Sequence, residues 1–241
     1  MTVHRLFVAN DLEAGAEIVL NAPQAHYLLH VLRLSEGSQI LVFDGKNGEW
    51  RAEIVKAKKA VCCIKLTGKV RGQTIAQDLH YAFAPLKQAR LDYMIQKAAE
   101  MGVSVLQPVI TARTIVSRLN LDRMRANAIE AAEQCELLTV PDIDPPFKLE
   151  TLLKTCAASR TIVFCDERAA KTSALDAIAR LDGRKITALV GPEGGFSEGE
   201  RELLLSKSFV CPVSLGPRIM RADTAAVAIL SLINAVLGDW R

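Results

Sequence analysis

Apolar and polar residues alternate in short runs along the first 72 residues of the chain. Runs with a period of two that are rich in β-branched residues are typical of strands with one buried face. Asn47-Gly48 lies between two of these runs and is a strong hairpin signal. Pro23 stands where a first helical turn tolerates proline, so residues 26–34 are predicted to form a helix. The predicted strands are residues 5–8, 17–20, 39–43, 49–55 and 61–66. This pattern predicts a small β-barrel.

The pattern changes after a polar, glycine-containing stretch at residues 68–77, where we place a domain boundary. Apolar runs typical of buried strands now alternate with segments of helical periodicity, which indicates a mostly parallel α/β sheet covered on both faces. Apolar residues between positions 91 and 101 follow helical spacing and end at Gly102, and Ser197-Glu-Gly-Glu200 is a capping box that opens another helix. The predicted strands are residues 79–84, 105–110, 161–165, 186–190 and 210–215. The chain is therefore predicted to contain a domain at 1–72 and a second at 73–241.

The last predicted helix, residues 223–237, is apolar on nearly every side. Ser231 and Asn234 are its polar members from position 225 onward. A helix on the surface of one sheet buries a single stripe and turns a polar face to water. This helix must therefore lie inside its domain or be covered by a second chain.

Composition narrows the class of protein. The chain has 241 residues, and half of them are apolar, which favours a globular protein. No uninterrupted apolar run is long enough for a membrane span, and the first residues lack the apolar core of a signal peptide. The six cysteines show no CxxC spacing, so reduced thiols in the cytoplasm are expected.

Charge is distributed unevenly between the predicted domains. The chain carries a net charge of +3, and residues 1–72 hold ten lysines and arginines against seven acids. The first domain thus accounts for the whole excess. A basic domain beside a neutral one suits attraction to nucleic-acid phosphates, although an ordinary lysine-rich surface would give the same balance.

Two glycine-containing segments follow predicted strands near the C-terminus: Gly191-Pro-Glu-Gly-Gly-Phe196, and residues 215–224, which read LGPRIMRADT. Glycine lets a ligand press against the backbone, and open α/β sheets bind ligands at the carboxyl ends of their strands. The first segment carries Glu193, and the second carries Arg218 and Arg221. This combination predicts a small-molecule site with charged groups for chemistry, whereas the spacing disfavours a dinucleotide fingerprint.

Simpler interpretations of the same residues remain open. The glycines could only shape tight turns, Glu193 could only favour the positive end of the next helix, and Arg221 could pair with Asp223 or with a neighbouring chain. Basic side chains after the first two α/β strands suit contact with RNA phosphates or plain solvation; they are Lys87, Arg90 and Arg113. His26 and His30 share a helical face without a third ligand, so no metal site is predicted.

The two glycine segments resemble the C-terminal signature of the RsmE family of 16S rRNA uridine N3-methyltransferases, within the SPOUT superfamily. The segments 30–34 (HVLRL), 92–102 (DYMIQKAAEMG) and 130–134 (EAAEQ) resemble the other motifs of that family, in the expected order. Met220, Ala222 and Asp223 depart from the commoner Leu, Thr and Glu. Residues 135–138 stand where a Gly-Arg pair is usual, and we assign no role to them.

The resemblance implies a PUA-like barrel followed by a trefoil-knotted α/β domain. It also implies S-adenosylmethionine as cofactor, N3 of a uridine in 16S rRNA as the methyl acceptor, and a homodimer. The apolar character of the last helix makes that helix the expected interface. The alternative is a catalytically inactive RNA-binding assembly factor of the same fold. An intact glycine segment with Arg221 favours the enzyme.

The site residues that follow fall into three groups. Arg221 would stabilise the uridine anion, and Glu193 would take its proton or face the sulfonium. The expected cofactor-binding residues are Val190, Gly191, Pro192, Glu193, Gly194, Gly195, Leu215, Gly216, Ile219, Met220, Arg221, Thr224 and Ala225. The expected RNA-binding residues are Arg5, His30, Arg33, Lys87, Arg90 and Arg113. Ile229 and Ile233, four apart on the last helix, are expected at the dimer interface.

Overall fold

The computed structural model describes residues 4–58, 61–116, 118–156, 160–169, 173–181 and 185–240. The chain divides into two compact units. The first contains Met1–Ile75 and Ala132–Val140, and the second contains Ala76–Ala131 and Pro141–Arg241. The sequence pattern places residues 132–140 wholly in the second domain, so their membership of the first unit is a correction.

The first unit is built on a mixed sheet in the order β1-β3-β4-β5-β2. β1 pairs with β3 in parallel, and the other neighbours are antiparallel. Its strands are β1 (Arg5–Phe7), β2 (Glu17–Val19), β3 (Gln39–Phe43), β4 (Glu49–Lys58) and β5 (Val61–Arg71). Ile40 with Val42, and Ile64 with Leu66, are buried at alternate positions, so the period-two pattern identifies the core face of these strands.

The predicted hairpin at Asn47-Gly48 joins β3 and β4, but its turn is longer than a two-residue loop. The Asp44 carboxylate accepts hydrogen bonds from the backbone N–H groups of Lys46 (2.9 Å) and Asn47 (2.7 Å). Gly48 adopts a φ of +84° that favours glycine. The turn is therefore organised by Asp44, a role typical of aspartate at the start of a turn.

The predicted helix at residues 26–34 begins earlier than expected. It starts as α1 (Ala22–His26) and continues as a π-helical turn, Tyr27–Val31. Asn21 and Gln24 form a reciprocal capping box, and Pro23 lies in the first turn. The sequence-based prediction does not use this capping box, which places the first helical turn before the predicted start at residue 26.

A buried ion-pair cluster lies within the first unit. The Glu49 carboxylate, 3% exposed, accepts hydrogen bonds from Arg5 Nε (2.7 Å) and Arg71 Nε (2.7 Å). The Arg5 guanidinium also donates to the backbone carbonyls of Ala132, Glu133 and Leu137. Burial alone would raise the pKa of Glu49, but the hydrogen bonds from Arg71 and Arg5 outweigh it and lower the pKa.

The second unit is an α/β domain around a parallel sheet in the order β12-β10-β11-β6-β7-β8, with β9 also pairing with β7. Its strands are β6 (Leu79–Phe83), β7 (Val105–Ile110), β8 (Asp142–Ile143), β9 (Phe147–Lys148), β10 (Thr161–Cys165), β11 (Ile186–Val190) and β12 (Val210–Val213). Its helices are α2 (Gln88–Glu100), α3 (Leu121–Gln134), which runs on into the first unit, α4 (Leu149–Cys156), α5 (Ala174–Ala179), α6 (Glu198–Leu205) and α7 (Ala222–Val236). The expected parallel sheet is confirmed. The sequence pattern misses β8 and β9, which are too short to show periodicity.

The helix boundaries that the sequence predicts most sharply are confirmed. Gly102 follows α2 with a φ of +74°, as expected of a C-terminal glycine stop. Ser197 caps α6, and the Glu200 side chain returns to the Ser197 backbone N–H, which completes the capping box.

The last helix, α7, buries one face inside its own unit. Ile229 is 0% exposed and Ile233 is 2% exposed. The expectation that these two residues form a dimer interface is therefore wrong, because both pack within the chain that carries them. Val227, Ala228 and Leu232 lie on the more accessible side. Among the residues that the structure describes, no helix has both the length and the apolar character required to cross a bilayer.

Candidate functional site

A pocket lies at the carboxyl ends of β10, β11 and β12. These three strands are adjacent and parallel, so the segments that follow them meet at one edge of the sheet. The pocket walls are formed by residues 164–168, 190–193, 195–196 and 213–220, together with Arg201, Ala222 and Ala225. The two predicted glycine segments therefore do come together.

The segment after β11 makes a tight turn against an aromatic support. The N–H of Gly195, which has a φ of +67°, donates to the carbonyl of Pro192 at 2.8 Å. A Cβ at Gly191 would lie 2.5 Å from the Phe196 ring, so glycine is required there. Phe196 in turn packs edge to face against Phe164, with ring centroids 5.1 Å apart. The turn therefore exposes backbone atoms to the pocket and is supported by the packed rings of Phe196 and Phe164.

The segment after β12 is open on its outer side. Gly216 has a φ of +108°, and a Cβ built there would meet nothing within 4 Å. Ile219 is 88% exposed although it lines the pocket. A ligand could therefore approach the backbone of this segment directly, with Ile219 available to cover it.

A third wall follows β10, at a strand end where the sequence leaves open whether Cys165 borders the cofactor or is only a buried cysteine. The Asp166 carboxylate, 4% exposed, pairs with Arg201 Nη2 at 2.9 Å. Arg168 pairs with Glu198 at 2.7 Å. Burial raises the pKa of the neighbouring Cys165 thiol to about 12, so the thiol stays protonated at neutral pH. In the sequence, this wall is indicated by the end of a predicted strand that is followed directly by Asp166-Glu-Arg168.

Most predicted cofactor-binding residues line the pocket. They are Val190, Gly191, Pro192, Glu193, Gly195, Leu215, Gly216, Ile219, Met220 and Ala225. Gly194, Arg221 and Thr224 are not among the lining residues, whereas Arg218 is. Arg221 is exposed at the start of α7, and within the described part of the chain its guanidinium has no hydrogen-bond or ion-pair partner. The alternative pairing with Asp223 is thus not formed.

Two of the predicted RNA-binding arginines contact the turn after β11. Arg90 Nη1 lies 3.7 Å from Glu193 Oε1, and both side chains are more than a third exposed. Arg113 Nη1 donates to the carbonyl of Gly194 at 2.7 Å. Lys87 is exposed at the start of α2. The turn after β11 is therefore contacted by two arginines from other segments, Arg90 and Arg113.

The predicted RNA-binding residues of the first unit differ in accessibility. His30 and Arg33 are exposed. The Arg5 side chain is 6% exposed, and its donors are directed to Glu49 and to backbone carbonyls, so the prediction that it contacts RNA is not supported. Among the described residues, no group of three or more His, Cys, Asp or Glu is placed to hold a metal ion.

Comparison with known proteins agrees with this arrangement. Residues 73–234 match the family described as RNA methyltransferase domain, and residues 20–66 match RNA methyltransferase PUA domain. Ribosomal RNA small subunit methyltransferase E of Rickettsia conorii is 30% identical over 97% of this chain and 96% of its own length. The Synechocystis protein of the same name is 32% identical over 97% of this chain and 78% of its own length.

A solved structure extends the likeness to three dimensions. Ribosomal RNA small subunit methyltransferase E from Neisseria gonorrhoeae, bound to S-adenosyl methionine, is 26% identical and has a TM-score of 0.90 over 100% of both chains. The fold and the family match thus define an RNA methyltransferase with an N-terminal PUA domain. Within that class, the chain belongs to the RsmE family, the ribosomal RNA small subunit methyltransferases E.

Proposed function

We propose that this protein transfers a methyl group from S-adenosylmethionine to N3 of a specific uridine in 16S rRNA. The observation that carries the proposal is the pocket at the ends of β10, β11 and β12, in a chain of the RsmE family. S-adenosylmethionine supplies an activated methyl group, so the protein mainly has to hold donor and acceptor in line.

The residues of the pocket fit such a cofactor. Gly195 and Gly216 have positive φ values and expose backbone to the pocket, and the space beside Gly216 is open. Backbone N–H and C=O groups of these turns would bind the adenine, while Ile219 and Met220 would enclose it. The apolar base formed by Phe164 and Phe196 supports the same wall from inside.

The acceptor sets a separate requirement, because N3 of uridine carries a proton and is a poor nucleophile until that proton leaves. The exposed guanidinium of Arg221, which has no polar partner among the described residues, would stabilise the anion that forms. Glu193 would accept the proton, since its only close partner among the described residues is Arg90 at 3.7 Å. Arg218 lines the pocket itself and would act on the cofactor side.

RNA would be bound through the PUA domain and the positive residues of both units. The first 72 residues carry the whole net charge of the chain, and His30 and Arg33 are accessible there. Lys87 and Arg90 would add contacts in the second unit. We infer that the target is presented on the small ribosomal subunit or its precursor, and that the protein works in the cytoplasm.

We also propose a homodimer through the accessible side of α7. Val227, Ala228 and Leu232 give this side an apolar character that a second copy would cover. Leu232→Glu should therefore yield monomers that keep their fold, as light scattering at micromolar concentration would show. A wild-type protein that is monomeric under the same conditions would contradict the proposal. The family also implies a trefoil knot, which stays a prediction.

The function itself is tested by mass mapping of 16S rRNA from cells that lack the protein. A single uridine should lack the methyl group that it carries in wild-type cells, and the purified protein with S-adenosylmethionine should restore it. Cofactor binding measured by calorimetry separates the enzyme from an inactive assembly factor. Unchanged 16S rRNA in the deletion cells would contradict the proposed function.

A further inference from the structure

The turn after β7 contacts the glycine-rich turn after β11 through one side chain. Arg113 Nη1 donates to the Gly194 carbonyl at 2.7 Å. A Cβ built on Gly194 would lie 3.6 Å from Arg113 Cδ and 3.7 Å from its Cβ, so the aliphatic part of the arginine also covers this glycine. Arg113 therefore contacts Gly194 with both its charged end and its stem.

The turn that carries Arg113 is itself held in place. Thr111 N–H donates to Thr114 Oγ1 at 2.9 Å, and Thr114 N–H donates to the Thr111 carbonyl at 3.1 Å. The Ala112 N–H donates to Glu200 Oε1 at 2.7 Å. The other oxygen of Glu200 accepts from Ser197 in the capping box of α6. One carboxylate thus links this turn to the helix that follows the glycine-rich turn.

These contacts determine the orientation of one peptide group in the pocket wall. The carbonyl of Gly194 is held by Arg113, and the N–H of the same peptide, on Gly195, donates to the Pro192 carbonyl at 2.8 Å. Glycine at both positions would otherwise leave this peptide free to rotate, because glycine has the widest range of backbone conformations. Gly195 lines the pocket, so the peptide's orientation shapes the surface that a ligand meets.

We propose that Arg113 is a positioning residue for cofactor binding, and that it acts by holding the Gly194–Gly195 peptide. The sequence pattern alone suggests RNA phosphate as its partner. The inference rests on the proposed function, because it takes S-adenosylmethionine as the ligand of the pocket. Its distinctive consequence is that Arg113 affects cofactor affinity when no RNA is present.

The experiment compares Arg113→Met, Arg113→Lys and the control Arg125→Met. Arg125 is an exposed arginine on α3 whose side chain has no polar partner among the described residues. Calorimetry without RNA should show S-adenosylmethionine binding weakened about three- to tenfold in Arg113→Met, the range expected for one exposed hydrogen bond. Arg113→Lys should recover part of the loss, since an ammonium can still donate to the carbonyl, and Arg125→Met should match wild type.

Kinetics and RNA binding complete the test. In Arg113→Met, the KM for the cofactor should rise while kcat at saturation and the KM for RNA stay near wild type. The slope of log affinity for an rRNA fragment against log salt should not change. A slope reduced by about 0.9 with unaltered cofactor affinity would instead make Arg113 a phosphate contact and overturn the inference.

The failure of this inference can be told apart from failure of the proposed function. If wild type binds S-adenosylmethionine and Arg113→Met binds it equally well, the positioning role is wrong and the proposed function stands. If wild type itself does not bind S-adenosylmethionine, both are wrong. Thermal unfolding of each variant shows whether weaker binding reflects a loss of fold.

Discussion

Two groups of arginines in this molecule have opposite surroundings. Arg5 in the first unit is 6% exposed and directs its donors to Glu49 and backbone carbonyls. Arg218 and Arg221 in the second unit are exposed at and beside a pocket, and their guanidiniums have no ion-pair partner within the described residues. A guanidinium with its donors already used stabilises the fold, whereas one without partners is available to a ligand. The comparison shows that position, more than residue type, decides which role an arginine serves.

The largest expected effect comes from removing the acid of the buried cluster. Glu49→Gln removes the carboxylate that pairs with Arg5 in a buried site, which should cost about 3–5 kcal/mol of unfolding free energy. Urea unfolding would measure the loss. Glu17→Gln, on the exposed face of β2, is the matched control and should change stability by less than about 0.5 kcal/mol. Equal stabilities of the two variants would show that the cluster is not structural.

The next largest effect is expected at Gly216, in the segment that carries Arg218 and Arg221. Gly216→Val should weaken S-adenosylmethionine binding at least about a hundredfold, because a branched side chain disfavours the φ of +108° and projects into the pocket edge. Gly199→Ala on the exposed side of α6 is the control, since a Cβ built there would meet nothing within 4 Å. Calorimetry on both folded variants tests the difference. Wild-type affinity in Gly216→Val would remove this turn from the cofactor site.

The two exposed arginines at the pocket, Arg218 and Arg221, are expected to have different roles. Arg221→Ala should lower kcat for methylation by about ten- to a hundredfold with little change in cofactor affinity, because an interaction made in the transition state leaves the ground state unaffected. Arg218→Ala should mainly weaken cofactor binding, since Arg218 lines the pocket. Steady-state kinetics with both substrates varied would separate the two patterns. The reverse pattern would exchange the two roles.

Lowering the pH should reduce the stability of the protein through the Glu49 cluster of the first unit. The folded-state pKa of Glu49 is lowered because hydrogen bonds from Arg71 and Arg5 outweigh the effect of burial. Its contribution to stability is therefore complete above the ordinary Glu pKa of 4.5 and is lost as pH falls through the lower folded-state value. Stability measured from pH 7 to pH 3 should fall more steeply in wild type than in Glu49→Gln. Parallel curves would contradict this.

The smallest effect is expected from exposed lysines at the end of β4. Neutralising Lys56 and Lys58 should reduce the salt dependence of rRNA binding by about 0.9 in slope for each phosphate that these side chains no longer neutralise. Lys59, the third member of this basic run, lies outside the described residues. Filter binding across a salt series is the measurement. An unchanged slope would mean that these lysines are merely solvated.

Local patterns predict the features that depend on neighbouring residues. Buried β-branched runs locate most of the strands, the capping box locates the start of α6, and the glycine segments locate two walls of the pocket. The third wall at residues 166–168 reaches the pocket because β10 lies between β11 and β12 in the sheet. This strand order cannot be predicted from local sequence patterns. The sequence pattern misassigns Arg5 for the same reason, since its carbonyl partners lie 127 or more residues further along the chain.

The return of residues 132–140 to the first unit has a consequence for how the protein is made. A ribosome releases the chain from its N-terminus, and domains generally fold as units once they are complete. Ala132 and Leu138 share an apolar cluster with Phe43, so this unit cannot finish folding until residue 140 has emerged. The strands of residues 4–71 must wait until residues 72–140 have also been synthesised. We therefore expect part of the apolar core of the first unit to stay exposed during that interval of synthesis.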